Sequence, residues 1–336
     1  MNQPTPPTPI PVIILAGFLG AGKTTALNHL LRQADGRKIG VIVNDFGEIN
    51  IDALLVQQQT KSTMELAGGC ICCQLGDGDL DEALANFTNS TSPPDCIIIE
   101  ASGIAEPTDI KKLILYSANK SLQFGGIVYL IDASEFHAAS TSHPQLRDHV
   151  GASDLLVLNK ADLVSPAQLE TLETEITTIH PAAPFLRTTN GAIDIRLLFE
   201  HPAAPSQQLQ LGSHSHNLHL HDAFTSVSFS TSQPLSPVRV KKLLQALPPQ
   251  VYRLKGALYY GMKGFEQKII IHKVGGHVSQ YAEEWQSGET PGSSLVAIGV
   301  AIDEAALQQQ FSACIDPNPD NSTPGDMVDI MRLKGF

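Results

Sequence analysis

Apolar positions along this chain gather into short continuous runs, each emptying into glycine, acid or amide residues. Val12-Ile13-Ile14-Leu15, Lys38-Ile39-Gly40-Val41-Ile42-Val43, Cys96-Ile97-Ile98-Ile99, Val128-Tyr129-Leu130-Ile131 and Leu155-Leu156-Val157-Leu158 have strand length. Their lack of alternation predicts strands buried on both faces. Helical spacing appears in 26–31, 79–87 and 168–179, with Pro107 placed to open a further helix and a short one predicted over 193–199. Strand alternating with helix predicts an α/β fold with a mostly parallel sheet flanked by helices. From 223 the pattern changes. Strand-like segments at 224–229, 251–260, 267–272 and 295–300 are joined by helical patterns at 237–247 and 303–313, which predicts a smaller C-terminal α+β domain. The predicted organisation is a disordered tail over 1–11, a first domain over 12–200, a linker over 201–222, the second domain over 223–314 and a patternless tail over 315–336.

The first run empties into Gly17-Phe18-Leu19-Gly20-Ala21-Gly22-Lys23-Thr24-Thr25. Strand, glycine-rich turn and helix in this order fit the phosphate-cradling loop, or P-loop. Its backbone N–H groups, from Gly17 through Gly20, Ala21 and Gly22 to Thr25, would face phosphate oxygens at the positive end of a helix. Lys23 would reach the β- and γ-phosphates, and the Thr24 hydroxyl would ligate Mg²⁺.

The second run ends in Asn44-Asp45-Phe46-Gly47-Glu48-Ile49-Asn50-Ile51-Asp52, where a Mg²⁺ or γ-phosphate sensor belongs. Asp45, Glu48 and Asp52 are the candidates, against the alternative of a solvated acidic loop. The strand 96–99 ends in Glu100-Ala101-Ser102-Gly103, an acid to hold Mg²⁺ and a glycine N–H to sense the γ-phosphate. Asp132, at the end of 128–131, is the rival acid; Gly103 favours Glu100. Leu155–Leu158 delivers Asn159-Lys160-Ala161-Asp162. A carboxylate at that fourth position accepts two hydrogen bonds from guanine, which adenine does not offer, so GTP is expected over ATP. Asn159 would brace the loop, and the Lys160 stem would pack on the base.

Between the acidic loop and Glu100 lies Gly68-Gly69-Cys70-Ile71-Cys72-Cys73. Three thiolates so spaced can converge on one soft tetrahedral ion such as Zn²⁺ or Cu(I). Buried structural cysteines or a reactive dithiol are the competing readings. Cys96 and Cys314 sit in apolar surroundings and read as core.

The composition of the 336-residue chain fits this picture: 42% hydrophobic and 17% charged, with five cysteines too clustered for a disulfide framework. The net charge of −12 argues against a nucleic-acid binder, and no apolar run of membrane-spanning length occurs. The proline- and threonine-rich start lacks signal-peptide character, so a cytoplasmic protein is expected. Residues 201–222 carry five of the 12 histidines, which read either as weak metal ligands or as a plain polar linker.

Taken together, GFLGAGKTT, NDFGEINID, GGCICC, EASG, NKAD, the histidine-bearing linker and the RLKG of the second domain resemble the CobW-type metal-handling GTPases, relatives of the urease and hydrogenase accessory GTPases. The resemblance spans roughly 12–314. It implies a P-loop GTPase with slow hydrolysis coupled to metal delivery to a client metalloprotein. It implies Cys70, Cys72 and Cys73 as ligands, with zinc the commonest cargo and cobalt an alternative, and Thr24 and Glu100 at Mg²⁺. Where some relatives carry an acid before the Asn of the second-strand loop, this chain has Val43, so that ligand is lacking. Lys23, Glu100 and Asp45 are the expected catalytic groups. No arginine finger is evident, so a client or a second copy of the chain, as a homodimer, would supply what is missing. A cobalt factor for a cobalamin-pathway enzyme, a non-catalytic nucleotide-bound metal sensor and a small-molecule kinase are the other readings.

Overall fold

Strands apolar at every position need cover on both faces, and the computed structural model gives it to them. It describes residues 9–34, 36–43, 71–74, 80–199, 224–286, 288–319 and 322–332. Two compact units divide between residues 221 and 222. The first is built on β1 (Ile10–Gly17), β2 (Ile39–Val43), β3 (Ile71–Gln74), β4 (Cys96–Glu100), β5 (Leu122–Asp132), β6 (Leu155–Asn159) and β7 (Phe185–Arg187). They form one parallel sheet in the order β3-β2-β4-β1-β5-β6-β7. Every residue of β2, β4 and β6 is buried. Flanking it are α1 (Lys23–Arg32), α2 (Leu80–Thr88), α3 (Pro107–Tyr116), α4 (Phe136–Ser142), α5 (Gln145–Gly151) and α6 (Pro166–Ile179). β1 lies mid-sheet between β4 and β5, so successive crossovers part on either side of it and open a crevice at its carboxyl end.

The second unit is a five-stranded antiparallel sheet of β8 (Phe224–Thr231), β9 (Val251–Leu258), β10 (Lys268–Val274), β11 (His277–Glu283) and β12 (Ser293–Val300), in the order β11-β10-β9-β12-β8. Helices α7 (Pro237–Ala246), α8 (Glu304–Ser312) and α9 (Pro324–Met331) share its core of Val227, Leu243, Leu254, Ile269, Phe311 and Ile330.

Four expectations need correction. The predicted tail over 1–11 ends earlier, because Ile10 and Pro11 already pair with Leu122 and Gln123 of β5. The predicted tail over 315–336 contains α9, started by a reciprocal cap between Thr323 and Asp326 and docked through buried Met327 and Ile330. The short helix expected over 193–199 is a single 3₁₀ turn, Ile195–Leu197. β3, β7, α4, α5 and β11 have no counterpart in the sequence reading; each is short or polar on one side, and packing rather than periodicity holds it. The linker over 201–222 lies outside the described residues up to Asp222.

Candidate functional site

The loop between β1 and α1 is shaped by backbone that only glycine adopts readily. Gly20 and Gly22 have φ of 76° and 96°, and a Cβ on Gly22 would lie 2.4 Å from Asn159 Nδ2. Gly22 caps α1, whose first turn carries no acidic residue and no side-chain cap. Its N–H groups are therefore available to an anion at the positive end of the helix. Lys23 is 9% exposed, and its Nζ donates to Gly17 O at 3.0 Å and Phe18 O at 3.3 Å. The ammonium is thus held against the loop itself.

Across the crevice, Thr24 Oγ1 donates to Glu100 Oε1 at 2.7 Å, joining residues 76 positions apart. These two hard oxygens are a fitting pair for Mg²⁺. Beyond Glu100, the turn 102–105 closes through Ala105 N–H to Ser102 O at 3.0 Å. A Cβ on Gly103 would stand 2.9 Å from the backbone nitrogen of Leu19 and 2.6 Å from its Cδ2. Glycine here lets the turn touch the phosphate loop. Asp132, the rival acid, goes elsewhere: its Oδ2 accepts from Lys160 Nζ at 2.6 Å. Burial pushes its carboxyl up, but hydrogen bonds from Lys160 and Ser134 outweigh that and leave its pKa below the ordinary value.

Asn159 spans two loops, donating to Ala21 O at 2.8 Å and accepting from Gly191 N–H at 2.9 Å. Lys160 sits in the left-handed region with φ of 59°, its stem fixed by Asp132. Asp162 follows on an exposed 3₁₀ turn, Ala161–Leu163, where an acceptor for a base belongs. The sequence reading missed the loop after β7. Ala161 N–H donates to Thr188 O at 3.2 Å, so Thr188-Thr189-Asn190-Gly191 backs the Asn159–Asp162 segment. Its signal is the Asn-Gly turn after a brief apolar pair.

Cys72 and Cys73 lie on β3, the sheet edge, in register with Val41 and Ile42 of β2. Ile42 is in turn level with Ile99 of β4, one residue before Glu100. Two strand spacings, about 10 Å, separate that part of β3 from the strand that presents the Glu100 carboxylate. Cys70, Asp45, Glu48 and Asp52 lie outside the described residues.

Comparison with known proteins agrees with this arrangement along both units. Residues 11–187 match the family described as CobW/HypB/UreG, nucleotide-binding domain, and residues 224–315 match the cobalamin synthesis protein cobW C-terminal domain. The chain belongs to the CobW/HypB/UreG family. It is 28% identical to the zinc chaperone CobW of Sinorhizobium sp, over 91% of this chain and 97% of that protein. It is also 28% identical to the zinc chaperone YjiA of Escherichia coli (strain K12), over 90% and 98%. A zinc-regulated GTPase metalloprotein activator 1 of Dictyostelium discoideum is 32% identical, over 56% of this chain and 47% of that protein. Among solved structures, the Zn(II)-bound YjiA GTPase from E. coli covers 92% of this chain and is itself wholly covered, at 25% identity and a TM-score of 0.45. Among the described residues, no helix of this family member is long and apolar enough to cross a membrane.

Proposed function

We propose that this GTPase is a GTP-dependent metallochaperone that takes up a transition metal, zinc foremost, through Cys70, Cys72 and Cys73 and passes it to a client metalloprotein. GTPase character follows from family membership. Relatives matching nearly end to end are named zinc chaperones, which supports zinc as the cargo. The observation that carries the coupling is the strand register: the thiol-bearing strand and the strand ending in Glu100 are two places apart in one sheet, level to within a residue.

In this reading the N–H groups of α1 and the Lys23 ammonium hold the β- and γ-phosphates of the substrate. Thr24 and Glu100 would hold Mg²⁺, which would supply positive charge to offset that of the phosphates. Ser102 and Gly103 close on the γ-phosphate, and Asp162, braced by Asn159 and Lys160, selects guanine. Release of phosphate frees the Ser102–Gly103 turn, and β4 and β2 relay the change to β3. The sequence offers no evident arginine finger, so in this reading turnover by the chain alone is slow and the client or a second copy completes the site.

The test is a competition titration of reduced protein with Zn²⁺ and Co²⁺, carried out nucleotide-free, with GDP and with a non-hydrolysable GTP analogue. A Cys70, Cys72, Cys73→Ser variant is the control. Tight one-to-one binding that needs the cysteines and shifts at least severalfold between GDP and analogue is expected. Binding indifferent to cysteines and nucleotide would remove the metallochaperone reading and leave a GTPase switch.

A further inference from the structure

Beneath the turn that follows Glu100 lies a polar cluster that the proposed mechanism does not use. His149, on α5, is almost wholly buried, and its Nε2 stands 2.8 Å from Glu106 Oε2. Glu106 is the residue immediately ahead of α3 and the last of the segment that begins with Ser102-Gly103. Its own side chain is half exposed. The His149 ring meets the Tyr129 ring edge-on, with centroids 5.9 Å apart and planes at 67°. The Tyr129 hydroxyl is buried and has no hydrogen-bond partner among the described residues. Burial, with the Glu106 charge nearby, holds that phenol well above its ordinary pKa.

Such a cluster is a poor way to stabilise a core. A buried imidazole and an unsatisfied hydroxyl carry desolvation costs that leucine and phenylalanine would avoid. What the cluster provides is direction. From His149 the connection continues: Ser153 Oγ donates to His149 O at 2.6 Å, and Asp154 N–H donates to Ile127 O of β5 at 2.9 Å. The chain then enters β6, which ends at Asn159.

We infer that His149 is a positioning residue for hydrolysis, tying the Ser102–Glu106 segment to α5 through Glu106. On one side of the tie is the turn that packs against the phosphate loop. On the other is a helix fixed by the strands that carry Asp132 and the Asn159–Asp162 motif. The Nε2–Oε2 contact gives the segment one preferred position, so γ-phosphate contact moves the turn only by working against, or with, α5. Loss of the contact leaves Glu106 in solvent and the turn free to sample positions that do not meet the γ-phosphate. The inference rests on the GTP reading above.

The experiment compares four forms of the full chain: wild type, His149→Leu, His149→Gln and Glu106→Ala. Steady-state GTP hydrolysis and the affinities for GDP and a non-hydrolysable GTP analogue are measured for each, with thermal midpoints alongside. Glutamine places an amide N–H near the position of Nε2, whereas leucine keeps bulk without a donor. The expected result is a loss in kcat of about tenfold or more for His149→Leu, from one charge-assisted hydrogen bond. GDP affinity should stay within about twofold, with the loss confined to the analogue and kcat, and glutamine should recover most of it. Glu106→Ala, a change at a half-exposed side chain, should reproduce the leucine phenotype even if His149→Leu fails to fold. Wild-type kcat in both His149→Leu and Glu106→Ala overturns the inference. So does an equal loss toward GDP and analogue that glutamine does not recover, the mark of a purely structural role. Failure of the wild type itself to bind guanine nucleotides overturns the GTP reading instead, and is seen before any variant is compared.

Discussion

At the scale of single residues, the proposed base preference and metal pair both rest on acceptor and donor geometry. Asp162 stands on an exposed turn whose neighbours are braced: Asn159 to Ala21 and Gly191, and Lys160 to Asp132. In the proposed reading, the pinned Lys160 presents its aliphatic stem to the base. Changing Asp162 to Asn replaces one of the two acceptor oxygens by an amide donor, so the guanine N1–H keeps an acceptor while the guanine amino group is set against another donor. GTP affinity should then fall at least a hundredfold, while xanthosine triphosphate, which carries a carbonyl where guanine has its amino group, should gain. Competition with labelled nucleotide measures both, and unchanged GTP binding would remove guanine readout from Asp162. The residue motifs were legible because each is a short chemical pattern at a strand end. In sequence the preference for Glu100 over Asp132 rests on Gly103 alone, since both acids end apolar strands; the 2.7 Å contact to Thr24 and the 2.6 Å contact to Lys160 give each acid its place.

Elements show a different balance. The inner parallel strands β1, β2, β4, β5 and β6 were readable because burial on both faces leaves no polar position to blur them, whereas the edge strands β3, β7 and β11 and the eight-residue α9 were not. One consequence belongs to β10. His272 pairs across strands with Lys255 and stacks on Tyr281, with centroids 6.2 Å apart. Burial, followed by the nearby positive charges of Lys255 and Arg253, lowers its pKa from 6.5 to about 3. The unfolded chain therefore takes up a proton on this histidine below pH 6.5 that the folded chain refuses until about 3. Its contribution is complete above 6.5 and is lost progressively as pH falls toward 3. Trp285 is the chain's single tryptophan and lies in this unit, 5.9 Å edge-on to Tyr259. Its fluorescence during denaturant unfolding should show a lower midpoint at acid pH, and His272→Gln should flatten that slope. An identical pH slope in the variant would exonerate His272.

For the whole molecule the question is coupling between metal and nucleotide. If GTP and GDP forms differ in Zn²⁺ affinity by some factor, Zn²⁺ must change the preference for GTP over GDP by the same factor, because the two are one thermodynamic cycle. Nucleotide titrations with and without one equivalent of Zn²⁺ should return the ratio found in the metal titrations. Agreement within error is expected; a nucleotide preference blind to Zn²⁺ would separate the two sites. The net charge of −12 gives the surface an attraction for cations without specifying which, so the proposed selectivity rests on thiolate chemistry.

Sequence by itself determined what is local. The phosphate loop, the Asn159–Asp162 tetrapeptide, the thiol cluster and the doubly buried strands each rest on residues within a few positions, where spacing and side-chain chemistry suffice. Only the tertiary structure decided what joins distant segments. Thr24 meets Glu100, Lys160 takes Asp132, Gly191 braces Asn159, and His149 anchors Glu106. The level of β3 against Glu100 belongs with them, since register is set by strand pairing across the sheet. These contacts are fixed by strand order and by how far each strand runs before it ends. No local pattern records either, so the chemistry could be read early and its wiring only from the fold.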